Sequence, residues 1–214
     1  GKVDTQALYG QEVKVLESKG DWYKIAVQDQ STRANKVGYP GWVPKSHIAE
    51  YYSNYEDCDI AIVSVNKAHL YQSAESTSPF LEVSFNTILP VIMEDNNFVQ
   101  VQTPKNGLKY MRKQDVNVVE DYHHIAEPTQ EDIVATSKQF LKLPYMWGGT
   151  SAYGFDCSGF TYSVYKQHGI LIPRDSSEQA KQGIKVTKKD LQPGDLLFYA
   201  SKYLINYKCY KYIQ

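Results

Sequence analysis

The stretch from Tyr145 to Phe160 reads YMWGGTSAYGFDCSGF and sets one thiol, Cys157, directly behind an aspartate and among four glycines. A helix that begins near Asp156–Cys157 aims unpaired backbone N–H groups and the positive end of its dipole at the sulfur. That arrangement favours the thiolate and makes a nucleophile. Gly148, Gly149, Gly154 and Gly159 let a substrate backbone approach closely and let the helix pack tightly on a sheet. On residue type alone, two plainer readings stay open: Cys157 as a small buried apolar residue, and Asp156 as an N-cap and nothing more.

The elements that must position this thiol are legible in pattern. Residues 11–48 alternate strand-like runs with turn residues, "EVKVLE", "SKGDW", "YKIAVQDQ" and "GYPGWVPKSHI", in the manner of β-hairpins. A second block over 60–119 repeats that order: "EVKVLESKGDWYKIAV" matches "ILPVIMEDNNFVQVQT" in pattern, and "GWVPKSHIAE" matches "KYMRKQDVNV". Two similar small β-barrels in tandem follow, the first without its opening strand, since little β-signal precedes Tyr9. After a linker, "DYHHIAEP", the segment "TQEDIVATSKQFLKL" carries apolar residues at helical spacing behind a Thr129 cap. The nucleophile helix is expected to run to Gly169 as its C-cap, followed by a short helix within "IPRDSSEQAKQG" and a buried strand from Leu196 to Tyr199.

Composition excludes some functions. Lys plus Arg (23) nearly cancels Asp plus Glu (24), so no global field favours nucleic acid or an acidic membrane surface. The three cysteines are scattered, with no CxxC pair, so neither a disulfide framework nor a zinc site is expected, and no metal or cofactor is called for. No run reaches the roughly 18 apolar residues of a membrane helix, so membrane insertion is not expected. The opening at Gly1 reads as that of a processed or trimmed product. Eighteen tyrosines suit half-exposed β surfaces and polar ligand grooves.

The segment "PYMWGGTSAYGFDCSGFTYSVYKQHGILIPRDSSEQA", followed by "LQPGDLLFY", resembles the catalytic half of NlpC-type cell-wall peptidases, a family of papain-like cysteine peptidases. The preceding β blocks resemble bacterial SH3-like domains, closest to those of γ-D-glutamyl-diamino-acid endopeptidases of murein peptide recycling. The resemblance implies a mixed fold: two small all-β SH3-like barrels (1–50 and 56–120), then a papain-like α+β peptidase domain (128–214) with an incomplete C-terminal sheet. It implies hydrolysis of the γ-D-Glu–diamino acid bond of peptidoglycan stem peptides through an acyl-enzyme, with Cys157 as the nucleophile. It further implies that Asp156, Ser158 and Ser176 hold the D-Glu and L-Ala groups and that Tyr145 stands beside the nucleophile. It also implies that Tyr39, in "GYPGW", is lent across the domain interface to a free ammonium end. The protein is expected to be a monomer, secreted or in the cell envelope of a bacterium, or else cytoplasmic in a recycling role.

The same resemblance implies a base histidine one strand after "GDLLF", and no histidine follows His168. His168 lies 11 residues beyond Cys157 on the same expected helix, about 16 Å along its axis at the helical rise, out of reach. His47 and His69 fall in the barrels, His123 and His124 in the linker. The tail "SKYLINYKCYKYIQ" shows no strand-like alternation and a Tyr-Lys-Ile-Asn bias of the kind that AT-rich DNA gives out of frame. The peptidase domain is therefore expected to break off after about residue 200, leaving an endopeptidase impaired by the loss of its base histidine, with a non-catalytic muropeptide- or wall-binding remnant as the alternative.

Overall fold

The computed structural model describes residues 3–50, 58–199 and 208–211. The first β unit is an antiparallel meander of β1 (Val13–Lys19), β2 (Trp22–Val27) and β3 (Tyr39–Pro44), and no strand precedes it among residues 3–12. Gly20, in the tight β1–β2 turn, has φ +53°, a conformation that other residues adopt at a cost.

The second unit contains β4 (Ile60–Val63), β5 (Lys67–Leu70), β6 (Leu81–Ser84), β7 (Ile88–Glu94), β8 (Phe98–Gln102), β9 (Leu108–Arg112) and β10 (Val116–Val119). Five of these strands form one sheet in the order β10-β4-β7-β8-β9, and β5 pairs with β6. The alternating residues Val99, Val101 and Met111 point inward with Leu70, Val83 and Leu89 to make its core.

The internal repeat expected from the pattern is present in the backbone. The β1–β2 pair has a bulge between Val15 and Glu17, and the β7–β8 pair has one between Val91 and Met93, at the matching place. Each repeat also ends its third strand in a single 3₁₀ turn, Lys45–His47 in one and Lys113–Asp115 in the other.

The α+β part begins with α1 (Gln130–Lys138). Thr129 and Asp132 cap it reciprocally, the side chain of each accepting from the other's backbone N–H. A short hairpin of β11 (Thr150–Ser151) and β12 (Gly154–Phe155) leads into α2 (Cys157–Gln167), and α3 (Ser176–Gln179) follows. The last sheet has β13 (Ile184–Val186), β14 (Leu196–Phe198) and β15 (Lys208–Lys211) in the order β13-β15-β14. Among the described residues, no helix is long and apolar enough to cross a membrane.

Two expectations are corrected here. The tail was expected to hold no strand, yet Lys208–Lys211 pairs with Ile184–Val186 on one side and Leu196–Phe198 on the other. Backbone pairing on both edges needs no side-chain alternation, and composition is a weak guide to it. The rest of the tail, residues 200–207 and 212–214, lies outside the described residues. The strand expected to be buried, Leu196–Tyr199, is half-exposed among the described residues, with Leu197 and Tyr199 open to solvent.

Helix α2 is buried along most of its length because both β units pack on it. Lys166, 4 % exposed, forms an ion pair with Asp29 of the first unit. Asp29 also accepts from Gln11 Nε2 at 2.6 Å, and its carbonyl accepts from Tyr162 of α2 at 3.4 Å. From the second unit, Asn86 Nδ2 donates to the Ser163 carbonyl at 2.8 Å. An ammonium held in so dry a place costs several kcal/mol when its partner is removed. Replacing Asp29 with Ala is therefore expected to lower unfolding stability by about 3 kcal/mol. Breaking the exposed Lys113–Glu94 pair by Lys113→Ala should cost less than about 1 kcal/mol. Urea denaturation of the two variants checks the contrast, and equal losses would contradict it.

Candidate active site

Two glycines set the position of Cys157. The Gly149 carbonyl accepts from Asp156 N at 3.1 Å, and a Cβ on Gly159 would lie 2.0 Å from that same carbonyl oxygen. Only a side chain without Cβ lets the start of α2 lie this close to the β11–β12 hairpin. Gly148 has φ +74°, and its N–H donates to Asp156 Oδ2 at 3.0 Å. Asp156 is the N-cap of α2, its Oδ1 accepting from Gly159 N at 2.7 Å. Cys157 follows as the first helical residue and is exposed, which removes the buried-apolar reading of this thiol.

Arg174, 1 % exposed, organises the polar side of the site. Its Nη2 and Nη1 reach Asp156 Oδ2 and Oδ1 at 2.7 and 3.1 Å, a bidentate pair. Nη1 also donates to Ser158 Oγ at 3.1 Å, and Nε to Thr5 Oγ1 at 3.0 Å. The Arg174 N–H meets the Ser31 carbonyl at 3.2 Å. One residue thus joins the helix cap and the N-terminal segment through its side chain and the first β unit through its backbone. Asp156 acts as cap and ion-pair partner at once, and both of its oxygens are engaged.

Asp175 occupies the N-cap position of α3, but its side chain does not cap the helix. It turns instead to the first β unit, where Tyr39 Oη donates to Asp175 Oδ1 at 3.4 Å. Burial raises the Asp175 carboxyl above the usual carboxylate range, with Arg174 opposing and Glu178 adding to the rise. Burial likewise raises the Tyr39 phenol, followed by the Asp175 charge. Below this pair, Glu178 accepts from Arg33 N at 3.0 Å and ties α3 to the same loop region of the first unit.

On the other side of Cys157 opens a cleft of about 280 Å³ lined by Phe140, Leu143, Pro144, Tyr145, Phe155 and Phe160, with Asp156 and Cys157 at its edge. Tyr145 is 64 % exposed there and bridges to Phe155 through the backbone. Burial, then the neighbouring Cys157 and Asp156, push its phenol up.

Of the residues singled out in the sequence, Asp156, Cys157 and Ser158 are consecutive at the α2 start, and Tyr145 shares the cleft with Cys157. Tyr39 reaches this group through Asp175, and Ser176 is exposed on the next residue. The Ser158 hydroxyl is buried against Arg174 and Asp156. None of the five histidines lines the cleft. His168 sits at the far end of α2, its Nε2 at 2.9 Å from Thr136 Oγ1, and burial lowers its pKa. His69 pairs with Glu82, and His124 with Asp121. No histidine among the described residues stands beside Cys157.

Sequence reasoning gave no role to Arg174 or Asp175, although both lie in the quoted "PRDS". The available signal was that Arg174 is one of only three arginines among 23 basic residues, the others being lysine, and arginine is the side chain suited to bidentate carboxylate pairing.

Residues 142–210 match the family model described as the NlpC/P60 family. Residues 63–118 match the YKFC SH3b2 domain, and residues 1–48 the bacterial dipeptidyl-peptidase Sh3 domain. The chain is 43 % identical over 201 residues to a gamma-D-glutamyl-L-lysine dipeptidyl-peptidase of Bacillus cereus, covering 93 % of this chain and 60 % of that protein. It is 39 % identical over 198 residues to the protein of the same name from Bacillus subtilis, covering 92 % of this chain and 64 % of that protein. The crystal structure of an NlpC/P60 family protein from Bacillus cereus superposes with a TM-score of 0.87 at 44 % identity, covering 92 % of this chain and 65 % of that one. The chain thus spans somewhat under two thirds of the length of these relatives.

The close approach at Gly159 gives a direct prediction. Gly159→Ala should cost about 3 kcal/mol of stability, since backbone must move to admit the methyl. The surviving folded fraction should react with iodoacetamide at Cys157 more slowly than wild type does, and an unchanged rate mapped by mass spectrometry would contradict the packing described.

Proposed function

We propose, for a chain whose residues 142–210 are an NlpC/P60 domain set behind two bacterial SH3 domains, that it is built as a cysteine endopeptidase of peptidoglycan stem peptides. The bond cut is that between γ-D-Glu and the diamino acid, in peptides whose first residue, L-Ala, keeps a free amine. The Cys157 thiolate attacks the γ-carbonyl, the C–N bond to the diamino acid breaks as its amine takes up a proton, and water then cleaves the thioester. With no histidine beside Cys157 among the described residues, that proton comes from solvent and turnover is impaired. The names of two relatives specify L-lysine, and L-lysine is the diamino acid proposed here.

The observation that carries this reading is the Tyr39–Asp175 contact across the domain boundary, one residue from the Arg174–Asp156 pair. We read this contact as the closed end of the groove that takes the peptide. A closed end lined by a carboxylate and a phenol suits an ammonium and has no room for a glycan or a blocked amine. Both Asp156 oxygens already accept from Arg174 and from backbone N–H groups, so the ammonium is assigned to Asp175 with Tyr39. Asp156 then orients the start of α2 together with Ser158, whose buried hydroxyl is engaged by Asp156 and Arg174, and the exposed Ser176 is the hydroxyl offered to the D-Glu carboxylate. Tyr145 stands at the mouth of the cleft beside the sulfur. The substrate of such a site is a released peptide rather than intact wall, which fits a recycling role in the envelope or the cytoplasm.

Calorimetric binding of free and N-acetylated L-Ala-γ-D-Glu-L-Lys tests the assignment. Acetylation should weaken binding by roughly 10- to 150-fold, the loss of one charge-assisted hydrogen bond. Asp175→Asn should erase most of that difference, and Asp156→Asn should not. Burial holds the Asp175 carboxyl above its usual range, and only its ionised form attracts an ammonium. Affinity for the free peptide should therefore fall as pH drops through that raised value, with protons released on binding at and below it. Equal affinity for the two peptides in the wild type would remove the closed-groove reading.

A further inference from the structure

We infer that the second SH3-like domain acts as a positioning element for the nucleophile, through the segment Glu82–Asn86 at the end of β6. The inference rests on Cys157 being the reactive group. Four of these five residues contact the α+β part, three through hydrogen bonds and one through an aromatic ring. Ser84 Oγ, buried, accepts from Ala152 N at 2.9 Å at the tip of the β11–β12 hairpin. Glu82 Oε1 accepts from Tyr153 Oη at 3.0 Å at the same tip. Phe85, fully buried, stacks edge-on against Phe140 with centroids 4.8 Å apart, and Phe140 in turn meets Phe155 at 5.0 Å. Asn86 Nδ2 donates to the Ser163 carbonyl in the second turn of α2.

Each contact falls on an element next to Cys157. The hairpin tip is two residues from Gly154, and the β12 strand ends at Phe155, immediately before Asp156 and Cys157. Phe155 and Phe140 are also walls of the cleft beside the sulfur. Ser163 passes the restraint on, its hydroxyl donating to the Thr150 carbonyl at 3.1 Å. Asn86 adopts φ +65°, the left-handed region that asparagine tolerates better than most residues, and this conformation presents its amide to α2. Lys67 completes the brace: its Nζ lies 3.1 Å from Glu82 Oε1 and 4.3 Å from the centre of the Tyr153 ring.

Helix α2 is therefore held from two sides, and the second domain holds it through the hairpin that delivers the nucleophile. A two-residue-per-strand hairpin makes few hydrogen bonds of its own, so its position depends on what grips its tip. A nucleophile fixed by a loosely supported segment drifts, and its reactivity falls with it.

The test measures the second-order rate of Cys157 alkylation by iodoacetamide between about pH 5 and pH 9, mapped by mass spectrometry, with melting midpoints in parallel. In the Glu82→Ala/Ser84→Ala double variant the rate at neutral pH should fall about tenfold and the profile should move to higher pH, as for a nucleophile whose supporting contacts are lost. Glu82→Gln keeps an acceptor for Tyr153 and should restore most of the rate when paired with wild-type Ser84. Lys113→Ala, on the outer side of the same domain, should leave the profile unchanged. A double-variant profile superimposable on that of the wild type, or an equal shift in Lys113→Ala, would overturn the inference while leaving Cys157 as nucleophile. Failure of the wild type to label Cys157 ahead of Cys58 and Cys209 would overturn both.

Discussion

The site depends on one buried ion pair. Arg174 is almost without solvent contact, so its charge must be neutralised where it stands, and the bidentate contact with Asp156 does this. That requirement fixes more than the pair itself. Asp156 can face Arg174 only while it also caps α2, which places Cys157 at the first turn with its sulfur exposed. Arg174 can stay buried only while Thr5 and Ser31 supply its remaining hydrogen bonds, and both belong to the N-terminal part of the chain. Nucleophile geometry and domain packing are therefore consequences of a single electrostatic constraint.

The two β domains, alike in strand order, bulge and 3₁₀ turn, serve this site in different ways. The first reaches the polar end, where Tyr39 meets Asp175 and Asp29 neutralises Lys166 inside the protein. The second supports the apolar end through Phe85 and the Phe140–Phe155–Phe160 aromatic cluster. Small β units of this size have modest cores of their own, and packing against α2 adds buried area that neither could make alone. The interface is in this way a source of stability, and through Phe85 it backs the aromatic wall of the cleft.

Much of this was legible in the residues. Period-two alternation marked the strands, and the Thr129 box and the Asp156 cap marked both helix starts to within a residue. The pattern match between the two blocks sets Val15 against Val91, and the structure places a bulge just after each. Legibility failed where partners are distant in sequence. Arg174 and Asp156 are 18 residues apart, and Tyr39 and Asp175 are 136 apart. A residue's type says what it can bind and not which of many groups the fold will bring to it, so the pairing of Asp156 with Arg174 and of Tyr39 with Asp175 could not be read from the residues alone. The strand Lys208–Lys211 was missed for a related reason: backbone pairing between two neighbours leaves little trace in composition.

The central claim is that the Arg174–Asp156 pair, and not positive charge alone, holds the groove in its binding form. Lysine at position 174 keeps the charge but cannot span both carboxylate oxygens while also reaching Ser158 and Thr5. The most direct measurement is the calorimetric affinity of Arg174→Lys for L-Ala-γ-D-Glu-L-Lys, with folding verified by circular dichroism. The account predicts a folded protein whose affinity falls by roughly 10- to 150-fold. A folded Arg174→Lys variant that binds within about twofold of wild type would contradict it.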